Sequence, residues 1–261
     1  EALETISKFK IGPIFTPPVV SKLQGPLATL TLGTANGGTN WPGGSFDPET
    51  QILYVHACNA CLTPLSLVPS PGPSFSDMRY VSGVAGQEVI EHLGVGGEAA
   101  PNAAAPAAAA ESAPLNLKVQ GLPLIKPPYG TISAINMSTG EILWQIAHGD
   151  TPDDIRNNAA LKGVNVPRTG QTGIIGVLTT KSLVIAGDPA TTTTASHPRG
   201  ALLHAYDKAT GNEVGSVYLP APQSGSPMTY MLNGRQYIVV AVSGGNYSGE
   251  YIAFALPPSA R

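Results

Sequence analysis

The chain has 261 residues, of which 12% are charged, with 30 glycines, 25 prolines and a formal net charge of −3. That length allows one or two domains with a sizeable core, while the weak, unclustered charge leaves no electrostatic footprint for nucleic acid or an anionic membrane. No apolar run reaches the roughly 18 residues that span a bilayer, and the glycine and proline content suits many short strands joined by tight turns.

Residues 1–36 read as a lead-in. Leu3, Ile6 and Phe9 share one face of a short helical turn, which is no signal peptide, so the start reads as mature or truncated. Ile11 to Pro18 carries prolines that cannot continue a helix, and this stretch is expected to be extended surface packing. Two strands follow between Gly37 and Val55 around an Asp47-Pro48 turn, and two more between Gly130 and Ile146 around Ser138 to Gly140. Together these four make one blade. The insertion between them is about 70 residues long, far beyond ordinary loops. Its centre, about residues 96–114, is low-complexity Ala/Pro sequence and is expected to be draped or mobile.

After a loop containing Asp150, Asp153 and Asp154, strands are expected at Ile174 to Leu178, Ser182 to Ala186, Ala201 to Tyr206 and Glu213 to Tyr218, a second blade. Met228 to Leu232, Gln236 to Val242 and Tyr251 to Leu256 give three strands of a third, before a tail at residues 257–261. A turn motif runs through this series at Phe46 to Val55, Ile135 to Trp144 and Tyr206 to Gly215. In each, Asp or Asn opens a tight turn by bonding the backbone ahead of it, and Gly140 and Gly211 can adopt the positive φ that closes a hairpin. Because one hairpin cannot bury its own face, recurring hairpins imply radially arranged sheets with shared cores. The expected fold is all-β: two four-stranded blades and an incomplete third, occupying residues 37–256. Too few blades are present to close a ring, which takes about four to eight. The chain is therefore expected to be the C-terminal part of a larger β-propeller, the remainder lying on another chain or removed by cleavage.

The segment Gly37 to Pro48, with Asn40-Trp41 at its centre, resembles a signature of the pyrroloquinoline quinone (PQQ)-dependent dehydrogenases. Pro127 to Asn136 with Thr139, Gly140 and Trp144 is similar to their tryptophan-docking repeat. Gly176 to Gly187, Ala205 to Gly211 and Ser226 to Val240 resemble the last two blades. The likeness runs nearly end to end and is closest to the membrane glucose dehydrogenase branch. It implies an eight-bladed quinoprotein propeller that binds PQQ and a divalent cation, commonly calcium. Two departures stand out: Gly215 lies where the docking tryptophan is usual, and Tyr54 lies near that place in the first repeat. The family's catalytic base and most metal ligands come from earlier blades, so they are expected outside this chain.

For the cofactor, the resemblance singles out Asn40, whose amide can bond a quinone carbonyl or carboxylate, and Trp41, whose indole is a flat apolar wall. The structural alternative makes Asn40 a turn cap and Trp41 core between blades. Gly244 and Gly245 follow a strand at the same end, where glycine lets backbone approach a ligand, and Thr172 and Gly173 precede another; a plain loop is the better explanation of each. Cys58 and Cys61 form Cys-x-x-Cys followed by Leu62, which disfavours covalent haem, and no second ligand pair exists for zinc. They remain either a local disulfide or free thiols. His56, His92, His148, His197 and His204 have no metal spacing and are expected to be satisfied or solvated. The three loop aspartates are expected to form an exposed acidic loop rather than a calcium site. Gly94 to Gly97 lacks the βαβ context of a dinucleotide loop.

The function implied is a periplasmic or extracellular quinoprotein that oxidises an alcohol or sugar hydroxyl and passes electrons to a quinone or a cytochrome. A non-catalytic propeller serving as scaffold or binding module is the alternative.

Overall fold

The computed structural model describes residues 1–33, 38–39, 41–86, 117–244 and 246–256. The Ala/Pro stretch, Asn40, Gly245, His92 and the tail at 257–261 lie outside the described residues. The strands in chain order begin with β1 (Val19–Val20), β2 (Thr29–Leu32), β3 (Gly44–Asp47), β4 (Ile52–Cys58) and β5 (Leu62–Pro69). They continue with β6 (Tyr80–Ser82), β7 (Lys118–Val119), β8 (Leu122–Pro123), β9 (Gly130–Asn136), β10 (Ile142–Ala147) and β11 (Leu178–Thr179). The rest are β12 (Leu183–Gly187), β13 (Ala201–Asp207), β14 (Glu213–Leu219), β15 (Met228–Leu232), β16 (Arg235–Gly244) and β17 (Tyr247–Ala255). Among the described residues two short α-helices, α1 (Ala2–Ser7) and α2 (Asp153–Arg156), and a 3-10 turn at Ala159–Leu161 accompany them.

The chain divides into two compact units, Glu1–Leu32 with Leu62–Leu124, and Gly33–Cys61 with Ile125–Arg261. In the first, β5 pairs antiparallel with β2, parallel with β1 and antiparallel with β6. The lead-in is thus more than extended surface packing, because it contributes strands to a sheet whose centre lies in the insertion. Sequence pattern missed this because β2 and β5 are short and their partner lies about 30 residues away, so neither announces the other locally. Strands β7 and β8 form a small hairpin whose turn residues, Gln120 and Gly121, both take positive φ.

The second unit holds three sheets, ordered β10-β9-β4-β3, β11-β12-β13-β14 and β15-β16-β17. These are two four-stranded antiparallel blades and a three-stranded one, as the turn repeat predicts. The strand expected from Ile174 is shorter than its pattern, with only Leu178 and Thr179 paired to β12. Side-chain alternation along β12 supplies two cores at once. Val184 and Ala186 pack with Tyr54, Ile132, Ala134, Ile175, Val177 and Tyr206. Ile185, between them, packs with Ala201, Leu203, Leu219, Val240 and Val242. A sheet buried on both faces needs an almost continuous apolar run, which explains Leu183-Val-Ile-Ala-Gly187.

The three similar turns do not occupy equivalent places. Those at Asn136 and Asp207 join the last two strands of their blades, whereas that at Asp47 joins the first two. Locally they share one device. Asp47 Oδ1 accepts from the Glu49 amide, Asn136 Oδ1 from the Ser138 and Thr139 amides, and Asp207 Oδ1 from the amide and hydroxyl of Thr210. The closing position takes φ of 76° at Gly140 and 74° at Gly211, and Gln51 takes the strained 58° in the first turn. The turns also tie neighbouring blades together. Trp144 Nε1 and the Tyr54 hydroxyl both donate to the Lys208 carbonyl at 3.2 Å, and Lys208 Nζ bonds Asp47 Oδ2 at 2.6 Å. Trp144 lies so close over Gly211 that a Cβ there would approach the indole to 2.8 Å. Tyr54 fills the space beside Trp144, their rings 5.7 Å apart. Gly215, by contrast, has open space where a side chain would be.

Candidate functional site

Strands β3, β11 and β15 are the first of their sheets, and the residues just before them converge at the end opposite the three turns. A Cβ on Gly176 would lie 2.1 Å from Ser226 Oγ and 3.2 Å from Pro42 Cβ. The adjoining loops are cross-braced. Gln223 accepts from the Gly187 amide at 2.6 Å and donates to the Gly176 carbonyl at 2.7 Å, while the Ser243 amide donates to the Pro222 carbonyl. The segments containing Trp41, Gly173 and Gly244 therefore come together at one end of the sheets.

Their side chains differ in availability. Trp41 is 96% exposed, so its indole projects into solvent and is not core between blades. Thr172 is exposed as well. Gly173, at φ 144°, is committed to packing, since a Cβ there would strike Pro189 Cβ at 2.4 Å. Gly244 takes φ 139° beside Pro222 and ends β16. Trp41 and Thr172 are thus open to solvent, whereas Gly173 has no open face to offer.

Cys58 and Cys61 are joined in a disulfide, which removes the free-thiol alternative. Cys58 ends β4, and its amide donates to the Gly38 carbonyl at 2.8 Å. The acidic loop is used internally: Asp153 accepts from the Thr192 hydroxyl and from the amide and hydroxyl of Thr193, and Asp150 pairs with Arg168 at 3.4 Å. Among the described residues, no group of three or more His, Cys, Asp or Glu side chains is disposed to hold a metal ion.

A buried polar cluster between the first two blades has no signature in sequence spacing. His56, His148 and His204 are all buried, with successive ring centroids 5.5 and 5.6 Å apart. His148 Nε2 faces the Gly187 carbonyl at 3.0 Å, which can only accept, so that nitrogen carries the proton and Nδ1 accepts from the Tyr206 hydroxyl at 2.9 Å. Burial, reinforced by the neighbouring histidines, holds His148 well below its usual pKa, and burial alone brings His56 down to about 4. His204 differs: its two nitrogens lie 3.0 Å from carboxylate oxygens of Asp188 and Glu213. Burial by itself would lower its pKa, but the two carboxylates outweigh burial and push it up to about 9. The hydrogen bond from His204 and the Arg168 guanidinium hold Glu213 down at about 2. His56 Nε2 and Gln171 Nε2 are buried without a hydrogen-bond partner. The visible trace of this cluster is a histidine inside each of two apolar strands, β4 and β13, but only tertiary packing supplies its partners.

The family model described as "PQQ: Glucose/ethanol/alcohol dehydrogenase, beta-propeller domain" matches residues 1–238. The chain belongs to this family. It is 30% identical to a probable quinate dehydrogenase (quinone) of Xanthomonas campestris pv. juglandis over 88% of the chain and 27% of the relative. The quinate/shikimate dehydrogenase (quinone) of Acinetobacter baylyi is 28% identical over 87% of the chain and 26% of the relative. A quinoprotein glucose dehydrogenase of Gluconobacter oxydans is 26% identical over 94% and 29%, respectively. The chain thus spans about a quarter to a third of the length of these curated relatives.

Proposed function

We propose that this chain is part of a PQQ-dependent dehydrogenase that oxidises an alcohol or sugar hydroxyl, and that Asn40 and Trp41 form one wall of its quinone site. The observation that carries this reading is the almost wholly exposed Trp41 indole at the end where the first strands of the sheets converge. The exposed ring leaves a flat apolar face and one N–H donor free to meet a planar partner. When bound, PQQ would supply the electrophilic carbon that accepts hydride. The chain's own contribution is binding and orientation: the Trp41 ring against the quinone plane, with Asn40, Thr172 and the Gly244-Gly245 backbone as polar or close-approach contacts. Gly173 serves to seat its segment against Pro189.

The catalytic base and the ligands of a divalent cation, calcium by resemblance, are assigned to residues outside this chain. Further blades, on another chain or in a separated N-terminal part, are proposed to cover the outer face of β15-β16-β17. Two observations support this. Met228, Tyr230, Val239 and Tyr251 share that face by register, and the relatives are several times longer than the chain. The disulfide favours a periplasmic or extracellular location. Electrons would leave to a quinone or a cytochrome.

The test is PQQ binding, read by quenching of tryptophan fluorescence and by the absorbance of retained quinone, in parent and Trp41→Ala chains. Binding that weakens about tenfold or more in the variant, the roughly 1.4 kcal/mol of one good aromatic contact, supports the reading. Equal binding by both rejects the quinone-wall role of Trp41, and no binding by the parent chain assembled with the remaining blades and calcium favours a non-catalytic scaffold.

A further inference from the structure

We infer that the Cys58–Cys61 disulfide is a positioning device for the loop that carries Trp41; the inference rests on the proposed role of Trp41 at the quinone. Trp41 lies between Gly38 and Gly44, and residues on either side of it bond to the same strand, β4. At its start, the Gly38 carbonyl accepts from the Cys58 amide at 2.8 Å and the Thr39 hydroxyl donates to the His56 carbonyl at 2.9 Å. At its return, Gly44 pairs with Val55, so tightly that a Cβ on Gly44 would come within 2.9 Å of the Tyr54 carbonyl. Both feet of the Trp41 loop therefore stand on the last four residues of β4.

That end of β4 is the place the disulfide secures. Cys58 is buried, and the bridge closes a turn whose Asn59 and Ala60 amides both point at the Tyr129 carbonyl, at 2.9 and 3.3 Å. Asn59 Nδ2 also donates to Thr131 Oγ1 at 3.1 Å. The turn is thus fastened to the start of β9, and the Trp41 loop is fastened to the turn. A bridge spanning so few residues constrains the unfolded chain little compared with one closing a long loop. Its effect is local, and the local object it controls is the platform beneath Trp41. Opening the bridge consumes two electrons and two protons and yields two thiols; a phosphine reductant supplies the electrons and becomes the phosphine oxide.

The experiment compares the oxidised chain, the chain reduced with a phosphine, and the Cys58→Ser/Cys61→Ser variant. Amide hydrogen exchange is followed by mass spectrometry, and PQQ affinity by fluorescence quenching. Exchange about tenfold faster in peptides covering residues 38–45 and 56–60, with β12 and β13 unchanged, is expected. PQQ affinity should fall about fivefold or more in parallel, and reoxidation should restore both. Unchanged exchange at the Trp41 loop overturns the inference, as does a rise spread over all three sheets, which would make the bridge a general brace. Trp41→Ala separates the two readings. If that variant binds PQQ as tightly as the parent, the quinone-wall reading fails, whatever the exchange data say. If it binds weakly while reduction changes neither exchange nor affinity, only the positioning role fails.

Discussion

His204 is a buried imidazole held between two carboxylates, Asp188 and Glu213. Its folded pKa of about 9 lies above the 6.5 of an unperturbed imidazole, so its contribution to stability is fully present below pH 6.5 and is lost as pH rises through 9. Glu213 works in the opposite sense. Its folded value of about 2 lies below the ordinary 4.5, so its contribution is present above pH 4.5 and is lost as pH falls toward 2. Urea unfolding between pH 5 and 10 should therefore show a decline in stability on the alkaline side that His204→Gln abolishes. The same substitution should cost about 3 kcal/mol at pH 6, because it leaves the buried Asp188 carboxylate without its cation, while Glu213 keeps Arg168. A flat alkaline limb in the parent chain would refute the imidazolium assignment. None of this is legible from the sequence, where His204 is one polar residue in an apolar strand; its charge state follows from two carboxylates supplied by other elements.

Among the elements, the turns govern how one blade meets the next. Trp144 lies over Gly211 of the following blade, and Trp144→Ala should lower stability by about 3–5 kcal/mol as the cavity opens, read from the denaturant midpoint. Gly211→Ala tests the same contact from the other side. It meets both a positive φ of 74° and the indole at 2.8 Å, so a loss above the roughly 1 kcal/mol typical of a left-handed glycine replaced elsewhere is expected. Lys208 couples the first turn to the third through Asp47, whose carboxyl its hydrogen bond holds down at about 2. In Lys208→Met, an NMR titration should find the Asp47 carboxyl moved back toward the ordinary 3.8; a value still near 2 would mean that Thr50 and the turn amides hold it unaided. The hairpins themselves were readable, because an Asx residue, a threonine and a glycine at fixed spacing specify the turn chemically. The different position of the first turn was not, because hairpins of the same local sequence can join either pair of strands in a blade.

For the molecule as a whole, the outward face of the three-stranded sheet is the feature that most needs a partner. Alternation along β16 sends Ile238, Val240 and Val242 inward and Tyr237, Val239 and Ala241 outward, where Tyr230 stacks on Tyr237 with centroids 5.1 Å apart. Tyr251 on the same face is 82% exposed. Exposed apolar surface of this kind favours association. The isolated chain should self-associate and bind a hydrophobic dye, and Tyr230→Glu with Tyr251→Glu should reduce both while moving the unfolding midpoint by less than about 1 kcal/mol. Light scattering after size exclusion gives the answer, and a monomeric parent that binds no dye would show that the face needs no cover.

Sequence by itself determined the all-β class, the division into two four-stranded blades and a three-stranded one, and the family. These follow from short-range chemistry: turn residues at fixed spacing, alternating or continuous apolar runs, and motifs in a fixed order. Tertiary structure alone decided the pairing of the lead-in with the insertion, the union of Cys58 with Cys61 in preference to free thiols, and the exposure of Trp41. It also decided the commitment of Gly173 to Pro189, the succession of three buried histidine rings and the placing of His204 between Asp188 and Glu213. Apart from the bridge, which joins residues three apart, these depend on contacts between residues distant in the chain, where burial and charge partners are set by packing that no local pattern encodes.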